Sequence, residues 1–228
     1  MLLIIEIFRS IQGESSLAGL PCVFVRLAGC NLRCSWCDSE YTFTGGRKMS
    51  SDDMMAEVER LATPNKLVEI TGGEPMLQER ELVPFIEQLL AAGYQVMVET
   101  SGERPLERVP KAVRKIVDVK CPGSGESAKF RTENLQALTE RDELKFVLTD
   151  RADYEYARDF IRQHGLERNG QELLLSPAFR KDAFGSRTAE NCLLDPRELA
   201  EWMLADGLRA RLALQVHKFI WEPQIKGV

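Results

Sequence analysis

Short apolar runs alternate with longer amphipathic stretches along most of the chain. Seven runs rich in β-branched and other apolar residues predict strands, at residues 21–28, 66–71, 94–100, 114–120, 143–149, 172–176 and 211–217. Between several of them, apolar residues recur at helical spacing, at residues 50–62, 79–93, 150–165 and 195–207. This alternation indicates crossover units, so we expect an α/β fold with a mostly parallel sheet of six or seven strands.

The first residues form a further apolar run, MLLIIEIF, which predicts a short strand at residues 2–8. The run is apolar for only five residues before Glu6, and it has neither a basic flank nor a small-residue cleavage site. It therefore does not resemble a secretory signal. No run in the chain approaches the roughly 20 apolar residues of a membrane-spanning helix. We expect a cytoplasmic protein.

Two long polar segments interrupt the alternation, at residues 29–50 and at residues 121–134. Each follows a predicted strand, and the carboxyl ends of strands are where parallel α/β folds bind their ligands. No interdomain linker is visible in the sequence. We therefore expect a single domain over residues 1–228, with a ligand-binding loop at residues 29–50.

The composition narrows the class of partner. The chain has 228 residues, of which 44% are hydrophobic and 29% are charged, as is typical of soluble globular proteins. Its net charge of −5 argues against direct binding of nucleic acid, which needs a clustered excess of Lys and Arg. A small-molecule substrate fits this negative net charge better.

The six cysteines are unevenly distributed. Three of them, Cys30, Cys34 and Cys37, lie within GCNLRCSWCD at residues 29–38. The other three stand singly, at Cys22, Cys121 and Cys192. In a chain without a secretory signal, this distribution favours metal binding over a disulfide framework. We interpret the three single cysteines as small core residues.

The spacing CxxxCxxC favours an iron–sulfur cluster over zinc. A structural zinc takes four protein ligands, and a zinc ribbon supplies two separate CxxC pairs, whereas this chain has no second pair. The two histidines, His164 and His217, lie far away in sequence, and we do not expect them as ligands. Three thiolates suit a [4Fe-4S] cluster with one iron left open for a different ligand. Zinc and accidental core cysteines remain as alternatives.

The cysteine motif resembles that of the radical S-adenosylmethionine (SAM) superfamily. Trp36 stands directly before Cys37, and TGGEP follows at residues 71–75, after a predicted strand. The resemblance implies a partial open (β/α) barrel in which the open iron binds the amino and carboxylate groups of SAM. Cleavage of SAM then gives a 5′-deoxyadenosyl radical that abstracts hydrogen. Because glycine has no Cβ, the Gly-Gly pair lets the strand end approach the cofactor.

The surrounding sequence resembles the 7-carboxy-7-deazaguanine synthases. The likeness lies in residues 8–43 (FRSIQGESSLAGLPCVFVRLAGCNLRCSWCDSEYTF), in VETSG at 98–102, in KCPGSG at 120–125 and in LQVHK at 214–218. It implies a radical ring contraction of 6-carboxy-5,6,7,8-tetrahydropterin to 7-carboxy-7-deazaguanine with loss of ammonia, in queuosine biosynthesis. It also implies a homodimer, Mg²⁺, and an electron donor such as flavodoxin or ferredoxin.

The resemblance also implies contacts to the substrate. Arg26 is expected to pair with the substrate carboxylate, which a guanidinium fork binds in bidentate fashion. An arginine within an apolar strand also needs a partner. The first strand and a tail at residues 215–228 are expected to cap the substrate side. The remaining implied contacts are Ile11, Gln12, Gly13, Thr71 and the terminal carboxylate of Val228, with Glu14 in the same motif as Gln12.

Contacts to SAM are implied in the cysteine loop and at strand ends. They are Trp36, Cys37, Asp38, Gly73, Ser101, Asp118, Val119, Lys120 and Ser176, with Glu99 and Thr100 beside Ser101 and with Glu74 as scaffold or polar support. Many relatives have Ser-Pro-Lys at positions 118–120, where this chain keeps only the lysine. The resemblance assigns the hydroxyl of Ser39 to Mg²⁺, an ion that tolerates few protein ligands. Alternatively, Asp38 or Ser39 caps the next turn.

Two other functions stay open from the sequence. An activating enzyme for glycyl radical proteins also carries CxxxCxxC in a chain of similar length, but it acts on a protein partner. An iron–sulfur or zinc module without catalysis is the second. Formation of 5′-deoxyadenosine by the reconstituted protein would separate a radical enzyme from such a module.

Overall fold

The strands form a single mixed sheet that is open at both edges. The computed structural model describes residues 1–183, 187–223 and 225–228. Over this part of the chain the sheet has nine strands, in the order β3-β1-β2-β4-β5-β6-β7-β8-β9. Strand β2 and strands β4 to β9 run parallel, whereas β1 and β3 are antiparallel additions at one edge. The strands are β1 Leu2–Ile11, β2 Pro21–Leu27, β3 Arg47–Met49, β4 Leu67–Gly72, β5 Gln95–Thr100, β6 Arg114–Asp118, β7 Glu143–Leu148, β8 Glu172–Pro177 and β9 Arg211–Leu212.

Three of the helices in the described ranges begin at a residue whose side chain accepts a hydrogen bond from the first turn. Ser50 accepts a hydrogen bond from the Asp53 N–H at the start of α1, and Asp150 accepts one from the Asp153 N–H at the start of α3. The helices are α1 Ser51–Leu61, α2 Glu79–Ala91, α3 Arg151–Gln163, α4 Pro196–Asp206 and α5 His217–Ile220. The first four confirm the four predicted helical stretches. None of the helices in the described ranges is long and apolar enough to cross a membrane.

Alternate residues of the parallel strands divide between two faces of the sheet. On β2, Val23 and Val25 pack in the main core together with helix residues such as Met54 and Phe85. The alternate residues point to the concave side, where the strand beginnings contribute a smaller apolar cluster. That cluster comprises Cys22, Phe24, Leu67, Met97 and Ile116, with Phe8 and Leu17 packed against it. It fills the amino-terminal end of the barrel interior, so polar residues further along the strands face an open space above it.

The seven predicted parallel strands are all present, and the expected partial open barrel is confirmed. Three details differ from the prediction. The strand predicted at residues 2–8 continues to Ile11, and the unpredicted strand β3 lies inside the segment predicted as a loop, where it pairs with β1. The strand predicted at 211–217 is wrong beyond Leu212, because the chain leaves the sheet there and the Val216 N–H bonds to the Gly13 carbonyl instead.

Candidate active site

A cavity of about 410 Å³ opens at the carboxyl ends of the parallel strands. Its wall combines the loop after β2, the ends of β4 to β7, the turn after β1 and the carboxyl-terminal tail. Most of the predicted site residues line it: Ile11, Gln12, Gly13, Arg26, Cys30, Cys34, Trp36, Cys37, Asp38, Ser39, Thr71, Gly73, Ser101, Asp118, Lys120 and Val228. The fold therefore gathers segments that are up to about 200 positions apart in sequence around one space.

Two predicted cofactor contacts lie outside this wall. Val119 is fully buried in the main core, because it follows Asp118 and its side chain takes the opposite face of the chain. Its backbone N–H bonds to the Lys145 carbonyl at 2.8 Å. Ser176, near the end of β8, is also buried, at 2% exposed, and does not line the cavity. The structure therefore brings neither side chain to the cavity.

The three clustered cysteines share the cavity wall and are close enough to influence one another's charge. Burial raises the pKa of Cys34 to about 11 and also raises that of Cys30, and the thiolate of Cys37 adds to both effects. Within the described ranges, no three Cys, His, Asp or Glu side chains converge on a point as ligands of a single metal ion. A [4Fe-4S] cluster meets each thiolate at a separate corner, so an all-thiol set spread along one wall fits it. None of the six cysteines forms a disulfide.

The glycine pair after β4 packs against the start of the cysteine loop. Gly72 has φ +147°, and a Cβ there would lie 2.3 Å from the Leu27 carbonyl oxygen. A Cβ on Gly73 would lie 2.2 Å from the Gly29 carbonyl oxygen and 2.6 Å from Cβ of Cys30. Glycine is therefore needed here for contact with the loop that carries the first cysteine, in addition to the predicted approach to a cofactor.

Glu74, which follows the glycine pair, has a structural role. Its carboxylate is buried and accepts hydrogen bonds from Thr100 Oγ1 at 2.7 Å, Ser101 Oγ at 2.6 Å and Ser101 N at 2.8 Å. It also accepts one from the Met76 N–H at 2.9 Å. These bonds tie the end of β4 to the end of β5, so Glu74 fixes the predicted contact Ser101 at the cavity wall.

A charged unit stands beside the cysteines. Lys120 Nζ lies 2.7 Å from Asp118 Oδ2 and 4.7 Å from the centroid of the Trp36 ring. Burial lowers the pKa of Lys120, but Asp118 and the nearby Cys34 outweigh it and hold that pKa above its ordinary value. Asp118 Oδ1 and Trp36 Nε1 are buried and make no hydrogen bond among the described residues. Both residues line the cavity, and these two polar atoms are left without a partner among the described residues.

The side chain of Arg26 lines the cavity and is hydrogen-bonded to a residue of β1. Its Nε lies 3.0 Å from Glu6 Oε1, which also accepts a hydrogen bond from the Tyr41 hydroxyl at 2.8 Å. Glu6 and Arg26 are directly paired in the β1–β2 register, so the partner that Arg26 was expected to need is supplied by the first strand. Its terminal guanidinium nitrogens make no hydrogen bond within the described residues, which leaves them for an anionic ligand.

The turn after β1 is held by a buried network of charges that the sequence reasoning missed. Gln12 Nε2 donates to Glu69 Oε2 at 2.6 Å, so most of the hydrogen-bonding capacity of Gln12 is used inside the protein. Lys145 Nζ bonds to Glu14 and, at 2.7 Å, to Glu99. Burial raises the pKa of Glu14, but Lys145 outweighs it and lowers that pKa to about 2. The available signal was a charged residue at an inward position of an apolar strand, as in KLVEIT and ELKFVLT.

The carboxyl-terminal tail is fastened to this turn and to the cysteine loop. Gln215 Nε2 donates to Glu14 Oε1 at 2.8 Å, and Lys218 forms an ion pair with Asp38. A Cβ on Gly13 would lie 2.2 Å from His217 Nδ1, so the tail packs directly on the turn. Burial raises the pKa of Asp38, but Lys218 outweighs it and holds that pKa well below its usual range.

Ser39 begins a single 3₁₀ turn at Glu40–Thr42, and its side chain makes no capping hydrogen bond. Its hydroxyl lies 3.7 Å from Cys37 Sγ, at the cavity wall. The alternative role of Ser39 as a side-chain cap is therefore not seen, and the hydroxyl is available to a ligand.

Comparison with known proteins agrees with this geometry. The model of the Radical SAM superfamily matches residues 25–123, which run from β2 to the loop after β6. The crystal structure of QueE from Escherichia coli shares the fold, with a TM-score of 0.73 at 24% identity, covering 95% of this chain and 94% of that chain. The fold and the cysteine loop thus define a radical SAM protein.

Curated relatives narrow this class. The chain is 67% identical over 225 residues to a 7-carboxy-7-deazaguanine synthase of Koribacter versatilis, covering 99% of both chains. It is 42% identical over 226 residues to a 7-carboxy-7-deazaguanine synthase of Chlorobaculum tepidum, covering 98% of this chain and 96% of the relative. The chain belongs to the 7-carboxy-7-deazaguanine synthase family. Its cofactors are accordingly a [4Fe-4S] cluster and SAM.

Proposed function

We propose that this chain converts 6-carboxy-5,6,7,8-tetrahydropterin to 7-carboxy-7-deazaguanine with loss of ammonia, a step of queuosine biosynthesis. The observation that carries the proposal is that a single cavity is lined both by the three clustered cysteines and by Arg26 with the turn after β1. A cofactor at the cysteines and a small substrate at the turn would therefore be neighbours. The full-length likeness to relatives named for this product supports the same reaction.

When bound, the cluster and SAM supply a 5′-deoxyadenosyl radical that abstracts hydrogen from the substrate. The thiolates of Cys30, Cys34 and Cys37 would hold the cluster at three corners and leave the fourth iron to SAM. Gly73, Ser101, Asp118 and Lys120 would contact SAM from the strand ends. Asp118 Oδ1 is suited to accept hydrogen bonds from hydroxyl or ammonium groups, because it is buried and has no partner among the described residues. Trp36, Cys37 and Asp38 would face SAM from the loop.

Substrate binding falls to other residues that line the same cavity. Arg26 would bind the substrate carboxylate with its terminal nitrogens while Glu6 holds Nε. Thr71 lies one strand away in register with Arg26 and would add a hydroxyl. Val228 would contact the donor-rich pyrimidine ring, and Ile11, Gln12 and Gly13 would line the edge of that ring. The tail at residues 215–228 would exclude water from the site.

A Mg²⁺ ion would complete the site at the Ser39 hydroxyl. Mg²⁺ keeps several non-protein ligands, so one serine oxygen together with substrate oxygens and water suffices. The hydroxyl of Ser39 lies at the cavity wall and makes no capping hydrogen bond to the turn that follows, which supports this role. Nearby, Asp38 is paired with Lys218, which makes its carboxylate less available to the ion.

The proposal includes a homodimer, an electron donor such as flavodoxin or ferredoxin, and a cytoplasmic location. A reductant is included because the radical chemistry that the cluster and SAM would supply needs one electron from outside the protein. A reducing compartment fits the six free thiols.

The test is anaerobic incubation of the cluster-loaded protein with 6-carboxytetrahydropterin, SAM, Mg²⁺ and a reductant. The proposal predicts a product with the mass of 7-carboxy-7-deazaguanine. If 5′-deoxyadenosine forms but this pterin is left unchanged, the chain is a radical enzyme with a different substrate, such as the glycyl radical activase. If a cluster forms and SAM is never cleaved, the chain is a non-catalytic module.

A further inference from the structure

A buried carboxyl in the lining of the cavity holds the turn that faces the ligand. Glu69 lies on β4, two residues before Thr71 on the same face, and is 2% exposed. Its Oε2 accepts the hydrogen bond from Gln12 Nε2 at 2.6 Å. Gln12 Oε1 accepts the backbone N–H groups of Glu14 at 2.6 Å and of Ser15 at 2.9 Å. A single side-chain amide therefore bridges the middle of the sheet and the start of the turn.

The turn is the first part of a hairpin loop, residues 12–20, that folds into the barrel interior. The loop is closed by backbone bonds from the Gln12 N–H to the Leu20 carbonyl at 2.8 Å and from the Gly19 N–H to the Gln12 carbonyl at 2.7 Å. Leu17 packs on the small apolar cluster, and Ser16 Oγ bonds to Glu143 Oε1 at 2.5 Å. Without the Gln12 side chain, the N–H groups of Glu14 and Ser15 lose their acceptor, and the link from the turn to β4 is lost.

The start of the loop carries the groups that face the cavity. Glu14 bonds to Lys145 and accepts from Gln215 Nε2 at 2.8 Å, while the Gly13 carbonyl accepts the Val216 N–H at 2.9 Å. A shift of Gln12 would therefore be passed to the turn, to the charge network and to the tail. All three segments contribute to the cavity wall.

We propose that Glu69 is a positioning residue for the substrate, which accepts a hydrogen bond from Gln12 and so holds Gly13 and Glu14 at the cavity wall. This inference rests on the proposed function, because it takes the turn as the binding site of the pterin. Glu69 acts as a hydrogen-bond acceptor that is held in a fixed position. Burial, and secondly the charge of Glu99, raise the pKa of Glu69 to about 8, so it is mainly neutral at pH 7 and an amide matches it closely.

Four variants test the role of this contact. Glu69→Gln keeps an acceptor for Gln12, whereas Glu69→Leu removes it. Gln12→Leu removes the bridge from the other partner. In the double variant Gln12→Glu with Glu69→Gln, the new amide at position 69 donates to the new carboxylate at position 12, whose other oxygen still accepts the N–H groups of residues 14 and 15. The exchange of roles restores the bridge in a chain where each partner has been changed.

The first readout is steady-state kinetics of the cofactor-loaded enzyme at pH 7. We expect Glu69→Leu and Gln12→Leu to raise KM for the pterin by about tenfold, with KM for SAM within about twofold of wild type. Glu69→Gln and the double variant should keep KM for the pterin within about threefold of wild type. A pterin KM unchanged in both Glu69→Leu and Gln12→Leu would overturn the proposal, as would a double variant no better than Gln12→Leu.

The second readout does not depend on turnover. Hydrogen exchange of the loaded enzyme should show faster exchange in a peptide covering residues 12–20 for Glu69→Leu and Gln12→Leu, and wild-type exchange there for the double variant. Unchanged exchange in both single variants would contradict a positioning role. If the wild-type enzyme turned over no pterin, the proposed function would fail, and the exchange result would still decide whether Glu69 holds the turn.

Discussion

Arg26 and Glu6 face each other across strands β1 and β2, with Arg26 Nε 3.0 Å from Glu6 Oε1. The Tyr41 hydroxyl bonds to the same carboxylate oxygen, so Glu6 is itself fixed. One edge of the guanidinium is thereby anchored to the protein while its terminal nitrogens remain for a ligand. Such an arrangement preorganises a bidentate contact with a carboxylate.

Arg26→Lys should raise KM for the pterin by roughly 10- to 100-fold, because an ammonium can serve either Glu6 or the substrate carboxylate but cannot fork between them. KM for SAM should stay within about twofold. The matched control is Arg9→Lys, which makes the same exchange at an exposed position of β1 and should leave both constants unchanged. Steady-state kinetics provide the measurement, and equal pterin KM values in the two variants would contradict the role of Arg26.

Cys34→Ala should abolish stable cluster assembly, because only two thiolates would remain in the loop. Iron and sulfide content after anaerobic reconstitution, together with the visible absorbance of the cluster, provide the measurement. Cys192→Ala serves as control, since Cys192 is a buried free thiol that does not line the cavity. Full iron loading of Cys34→Ala, or comparable loss in Cys192→Ala, would contradict the assignment.

Gly73→Ala should lower the thermal unfolding midpoint and the iron content together. A Cβ at this position would lie 2.2 Å from the Gly29 carbonyl oxygen, so the loop that carries Cys30 must shift, at a cost of ~1–3 kcal/mol. Gly207→Ala is the control. Position 207 has φ +57° with open space around it, so alanine there costs about 1 kcal/mol of backbone strain and should leave iron binding intact. Normal iron content in Gly73→Ala would show that close packing at the glycine pair is dispensable.

The buried carboxyl of Glu69 should make stability depend on pH. Burial, and secondly Glu99, raise its pKa from 4.5 to about 8 in the folded chain, so the folded state keeps a proton that the unfolded state releases between these values. The stabilisation is complete below pH 4.5 and is lost as pH rises through about 8. Between pH 5 and pH 8, the free energy of unfolding should fall by roughly 1–3 kcal/mol more in wild type than in Glu69→Gln. Parallel pH profiles from guanidinium titration of the two proteins would contradict the raised pKa.

The sequence predicted the parts of the fold that are set by local pattern. The seven parallel strands and four helices follow from apolar periodicity, which the packing of a sheet under helices preserves. Strand β3 could not be foreseen, because Arg47 and Lys48 are exposed and the strand exists only by pairing with β1. The end of β9 depended on a distant partner, since Val216 bonds to Gly13 rather than to β8.

The same holds for the site: local motifs could be recognised in the sequence, whereas contacts between distant residues could not. Motif residues such as Cys30, Arg26 and Gly73 line one cavity, and their roles toward ligands stay predictions. The partners that hold them were missed, because Glu6 and Glu69 are charged residues in strands whose neighbours become known only from the register. Val119 was expected at the cofactor through its motif position, but strand alternation turns its side chain into the core.

The central claim is that the cysteine loop and the substrate turn share one cavity. Transfer of deuterium from the pterin to the 5′-deoxyadenosyl group of SAM tests it most directly. The enzyme is incubated anaerobically with unlabelled SAM and with 6-carboxytetrahydropterin deuterated at its reduced ring carbons, and 5′-deoxyadenosine is analysed by mass spectrometry. Adjacent sites predict that 5′-deoxyadenosine gains deuterium from the pterin. Pterin-independent 5′-deoxyadenosine that stays unlabelled would contradict the account.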